Sequence, residues 1–202
     1  EYHGGQYVDA YAPLIKQESG NKAAYMVADL SDAYKYDTSK YYRGYYFGDD
    51  RRTLTVQDEM SFLKDNSPFY WFMHTRADIT VDSDGHGATL TYKGKSIRVD
   101  VLSNADNYKF KVNKVEKRFT TDPDRPGQLI GANFKAIKVL TLEGSGSNDV
   151  NITVKLTPVD NDFDTYSKVT YTPISEWKIP QGERSAKLRA DAVYADGKLL
   201  DK

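Results

Sequence analysis

The sequence predicts an all-β protein, an antiparallel two-sheet β-sandwich with long loops, on three observations. Short runs of alternating or continuous apolar residues recur along the chain, and turn signals built on Gly, Pro, Asn and Asp separate them. The composition leans toward strand formers: 16 of the 202 residues are tyrosine, and aromatic side chains fit a pleated, half-buried surface as well as a sugar-facing one. No stretch shows a convincing amphipathic helix, which leaves packed sheets as the way to bury a core. Residues 1–202 are read as a single sandwich domain.

Residues 1–22 contain Gly4-Gly5, Pro13 and Ser19-Gly20-Asn21 and read as loop, with a short strand around Tyr7 to Tyr11. Ala23 to Leu30 is apolar enough for a buried strand, and Ser31-Asp32 follows as a turn or as the cap of one helical turn. The stretch from Tyr41 to Thr75 organises the chain and is expected at the centre of an antiparallel sheet. Tyr45-Tyr46-Phe47 runs into a Gly48-Asp49-Asp50 turn, and Leu54, Val56 and Met60 then alternate with Thr53, Thr55 and Gln57, as in a strand with one wet face. After the turn cluster Lys64 to Pro68, the run Phe69-Tyr70-Trp71-Phe72-Met73 is apolar at every position, which predicts a strand covered on both faces.

Ala77 to Val81 is a short strand ending in the turn Asp82 to Gly87. Ala88, Leu90 and Tyr92, the turn Lys93-Gly94-Lys95, and Ile97, Val99 and Val101 make the clearest hairpin. Tyr108, Phe110 and Val112 alternate with Lys109 and Lys111, and the Pro-rich stretch 120–128 is a long exposed loop. Ala132 to Leu142 and Val150 to Leu156 are expected to pair around a Gly/Ser turn. The tail adds Lys168 to Thr172, a corner at Pro173 to Trp177, and a last pair near Ala186 to Tyr194 and Lys198 to Leu200.

Composition narrows the function classes. A net charge of −1 argues against nucleic acid as the main partner while leaving room for local basic patches. No stretch approaches the ~18 apolar residues of a spanning helix, so no membrane partner is expected. With no cysteine, neither disulfides nor thiolate metal sites are available. His3, His74 and His86 lack ligand spacing, and Asp160 to Asp164 begins like a calcium loop but has Thr165 where its glycine belongs and Tyr171 where its glutamate belongs. No metal and no cofactor are therefore expected. The sequence opens at Glu1 with no targeting segment, and the chain is read as a piece of something longer.

The segments AAYMVADLSDAY, YYRGYYFGDDRRTLTVQDEM and SPFYWFMHTRADI, arriving in this order between Ala23 and Ile79, resemble the sheet-rich C-terminal region of heparinase II/III-like polysaccharide lyases. The resemblance implies a secreted or periplasmic bacterial enzyme that cleaves uronic-acid polysaccharides by β-elimination. It also implies an α/α toroid before the sheets, with the Tyr and His that move protons, and metal ligands where present, on the toroid and on the earlier half of the sheet domain, ahead of the region this chain resembles. None of that family's catalytic motifs falls on a position of this chain, so no catalytic residue is assigned and the chain alone is expected to be inert. Its partners would be the missing N-terminal catalytic domain and an acidic, uronic-acid-containing polysaccharide.

Five residues are the candidates for contact with such a polymer. His74 ends the aromatic run, and Arg76 follows two residues later, expected on the same sheet face. Lys109 and Lys111, with Tyr108, belong to the basic cluster that continues to Lys114, Lys117 and Arg118, and ammonium groups there would hold carboxylates or sulfates through charge-assisted hydrogen bonds. Each residue also has a plain reading: His74 as a hydrogen-bonded structural side chain, the lysines as a solvated strand face, and the Asp49-Asp50-Arg51-Arg52 turn as a solvated hairpin tip. A stand-alone carbohydrate-binding or adhesion module, or a purely structural sandwich, is the alternative to a lyase portion.

Overall fold

The computed structural model describes residues 6–7, 9–102, 108–114, 118–119, 129–130, 136–145, 148–167, 170–183, 193–195 and 198–200. The described strands are, in order, β1 (Leu14–Ser19), β2 (Ala24–Asp29), β3 (Thr38–Gly48), β4 (Thr53–Phe62), β5 (Pro68–Thr75), β6 (Asp78–Val81), β7 (Gly87–Tyr92) and β8 (Lys95–Val101). They continue as β9 (Lys109–Lys114), β10 (Arg118–Phe119), β11 (Leu129–Ile130), β12 (Lys138–Ser145), β13 (Asp149–Pro158), β14 (Val193–Ala195) and β15 (Lys198–Leu200). An eight-stranded antiparallel sheet has the order β1-β2-β3-β4-β13-β8-β7-β6, and a three-stranded sheet the order β5-β12-β9; β10–β11 and β14–β15 are small separate pairs. The all-β, two-sheet architecture is the one the sequence predicts.

The two sheets meet face to face. Met60, Ile152 and Val154 of the large sheet pack against Phe69, Trp71, Leu140 and Leu142 of the small one in a single apolar core. Three strands cannot cover eight, and the opposite face of the large sheet has its own cover. Residues 170–183 lie across β2, β3 and β4, where Ile174, Trp177 and Ile179 bury Ala23, Tyr25 and Val27. The two covers overlap at β4, which explains why the run from Thr55 to Met60 is buried on both faces.

Polar side chains hold the second cover. Lys16 Nζ donates to the carbonyls of Ser175 at 2.8 Å and Trp177 at 2.6 Å, and the Ile179 N–H donates to Glu18 at 2.7 Å. The buried Glu59 accepts from the Ile174 N–H at 2.7 Å and from Gln57, whose amide also donates to the Thr172 carbonyl at 2.8 Å. Trp177 fits because Gly44 has no side chain: a Cβ there would stand 2.6 Å from the indole.

Several expectations are corrected. β4 has no wet face; Thr53, Thr55 and Gln57 are buried, and Gln57 and Glu59 point into the second cover, where hydrogen bonds satisfy them. The aromatic run is not covered on both faces either. It is the edge strand β5, with Phe69 and Trp71 buried while Tyr70 and Phe72 are 56% and 55% exposed. β12 and β13 follow one another but lie in different sheets, so they are not a hairpin. The first strand is Leu14–Ser19, a segment read as loop, and no strand is found among the described residues of Tyr7 to Tyr11. The hairpin β7–β8 forms as read, its two-residue Lys93-Gly94 turn having both residues at positive φ. The loop 120–128, His3, Lys117 and all of 184–192 lie outside the described residues.

Candidate functional site

Alternation along the three strands of the small sheet sorts side chains onto two faces. The inner face carries Trp71, Leu142 and Phe110 in one cross-strand row. The outer face carries three rows: Tyr70, Glu143 and Lys109; Phe72, Thr141 and Lys111; and His74, Val139 and Asn113. An exposed aromatic edge formed by Tyr70, Phe72 and His74 therefore lies two strands from a lysine pair. The Tyr70 and Phe72 rings are 5.8 Å apart and within 3° of parallel, and the Phe72 and His74 rings are 6.5 Å apart.

This face brings together three of the five candidates: His74, Lys109 and Lys111. Lys111 forms an ion pair with Glu143 across the strand, and Lys109 has no acidic partner among the described residues. Arg76 is exposed but lies in the bend after β5, beyond the last paired residue, Thr75. Tyr108 belongs to the core: it is 3% exposed, with its ring edge-on to Phe69 at 5.2 Å. Inside the core it offers no surface to a polymer. Tyr70 and Phe72 were missed because an edge strand with one bare aromatic face reads in sequence like a doubly buried one.

A second feature opens beside β5. A cleft of about 460 Å³ runs between β5 and the inner face of β3 and β4, walled by Tyr34, Tyr41, Phe69 and Trp71. At its floor Arg43 Nε and Nη2 donate to the two carboxylate oxygens of Asp58 at 2.6 and 2.8 Å, and Nη2 also donates to the Tyr41 hydroxyl at 2.9 Å. Burial opposes the charge on Arg43, but the hydrogen bonds and field of Asp58 outweigh it and raise the guanidinium's pKa. Burial, then the negative charge of Asp58, raises the pKa of the Tyr41 hydroxyl, so it stays protonated at neutral pH. Arg43 and Asp58 lie in the same one of the sequence segments that carry the lyase resemblance, and their observed role is to form this pair.

The hairpin tip between β3 and β4 is an anchor rather than a solvated turn. Asp49, Asp50 and Arg51 all have positive φ, a backbone path that aspartate tolerates better than most side chains. Arg51 donates to the Gly20 carbonyl and to Ser19 Oγ, while Arg52 pairs with Asp160 and Asp162. The acidic residues that resemble the start of a calcium loop are thereby engaged by a guanidinium. Among the described residues no group of three or more His, Asp or Glu side chains is arranged to hold a metal ion.

No protein-family model matches the chain, and no curated protein matches it. Among solved structures it is similar to the heparan sulfate lyase HepC from Pedobacter heparinus, with a TM-score of 0.54 and 16% identity over 76% of this chain. The match spans 22% of that protein's length. At this identity the likeness concerns the fold.

Proposed function

We propose that this chain is a non-catalytic β-sandwich portion of a larger polysaccharide lyase acting on uronic-acid polymers by β-elimination, and that it holds acidic glycan on the outer face of its three-stranded sheet. One observation carries the reading: Tyr70, Phe72 and His74 stand exposed in a single row, in register across β12 with Lys109 and Lys111. Aromatic rings take the apolar faces of pyranose rings, and ammonium groups take carboxylates or sulfates through charge-assisted hydrogen bonds. The fold likeness to a heparan sulfate lyase supports attachment to such an enzyme. Polymers of this kind are met outside the cytoplasm, so a secreted or periplasmic location belongs to the same reading.

Retention on immobilised heparin tests it. Replacing Lys109 and Lys111 together with Ala should lower the salt needed for elution and flatten its dependence on ionic strength. Tyr70→Ala with Phe72→Ala should weaken binding about tenfold with the charges intact. Incubated alone with heparin or heparan sulfate, the chain should generate no ultraviolet absorbance from unsaturated uronate. Unchanged retention in both variants would refute the glycan face, and turnover would refute the non-catalytic assignment.

A further inference from the structure

The cleft beside β5 is a different chemical environment from the lysine face. Its walls are aromatic, and its volume of about 460 Å³ falls within the ~300–1,000 Å³ of pockets that hold small ligands. The charge at its floor is already cancelled within the protein, because Asp58 takes Arg43 through two parallel hydrogen bonds. Asp37 and Thr38 on its wall add a carboxylate and a hydroxyl but no cation. Anions have little to gain there. Arg43 nevertheless keeps donor capacity: Nε and Nη2 are engaged by Asp58 and Tyr41, while Nη1 makes no hydrogen bond to a described residue.

We propose that this cleft binds one uncharged pyranose of the N-acetylhexosamine class, its apolar ring face against the half-buried Tyr34 and its acetamido carbonyl accepting from Arg43 Nη1. A carbonyl suits that donor because it brings a strong acceptor without a charge that Asp58 would repel. Tyr70 and Phe72 line both the cleft mouth and the outer face, so the two sites adjoin across the edge of β5. The cleft does not depend on the lysines, and its ligand can be measured separately.

The test is titration of the isotope-labelled chain with the N-acetylglucosamine disaccharide, followed by NMR through the Arg43 Nε–H, the Trp71 indole N–H and the backbone amides of Tyr34 and Tyr41. Saturable shifts at these groups, retained in the Lys109→Ala/Lys111→Ala variant, are expected. Removing one member of the ion pair would leave a buried charge, so the variant is the double replacement Arg43→Met/Asp58→Leu, which keeps the volume apolar. Amide dispersion reports its folding, and it should bind at least about tenfold more weakly, as should Tyr34→Ala. Absence of shifts in the cleft, binding undiminished in both cleft variants, or loss of binding with the lysines would overturn the proposal. Failure of heparin retention would leave it standing, because a neutral disaccharide does not call on the lysine face.

Discussion

Single residues near the β3–β4 tip do structural work that charge counting in sequence reads as solvation. Asp49 accepts from Thr53 Oγ1 at 2.9 Å and from the Ser167 N–H at 3.1 Å, and it lies 3.4 Å from the ammonium of buried Lys155. Burial raises its carboxyl pKa, but the Ser167 and Thr53 hydrogen bonds and the charge of Lys155 outweigh it, and the net shift is downward. A carboxylate whose pKa is lowered on folding contributes stability above its unfolded value and loses it as pH falls through the folded one. Asp49→Asn should therefore cost about 1.5–3 kcal/mol near neutral pH. Denaturant unfolding at a series of pH values should show that difference shrinking once pH drops below the ordinary carboxylate value of 3.8. A cost independent of pH would assign the residue a role in the turn's shape instead of its charge. Gly44 was equally hidden, since only the position of Trp177 shows why that site admits no Cβ.

Element by element, the sequence reveals periods but not covers. The β7–β8 hairpin was legible because alternation and a Lys-Gly turn agree locally. Strands β4 and β5 were read the wrong way round for a common reason. Thr53, Thr55 and Gln57 read as a solvent face, yet all three are buried, and residues 170–183 arrive from far along the chain to accept from Gln57 and to donate to its neighbour Glu59. Tyr70 and Phe72 read as core, yet β5 ends its sheet with one face bare. Both errors turn on a long-range partner that local pattern cannot carry. The same limit applies to the candidate site: the lysines and His74 were visible in sequence, but that they share one face with Tyr70 and Phe72 required the register of β12. The energetic consequence can be measured on neighbouring residues of β5. Trp71→Ala should cost about 3–5 kcal/mol by opening a core cavity, whereas Phe72→Ala should stay within about 0.5 kcal/mol, as at other exposed positions. Equal losses in chemical denaturation would show that β5 is covered on both sides after all.

Among the described residues, the eight-stranded sheet has two offset covers, the three-stranded sheet on one face and residues 170–183 on the other. They overlap at β4, so the centre of the large sheet is buried on both faces. Tyr70 and Phe72 stay exposed on the outer side of β5, whereas Val139 and Thr141 of the middle strand β12 are buried. Mapping a heparin-derived hexasaccharide by amide chemical shifts tests most directly the proposal that the outer face of the small sheet is a glycan surface. The shifts should concentrate on Tyr70, Phe72, His74, Lys109 and Lys111, in register across β12; shifts confined to residues 170–183 or to the β7–β8 hairpin would contradict it.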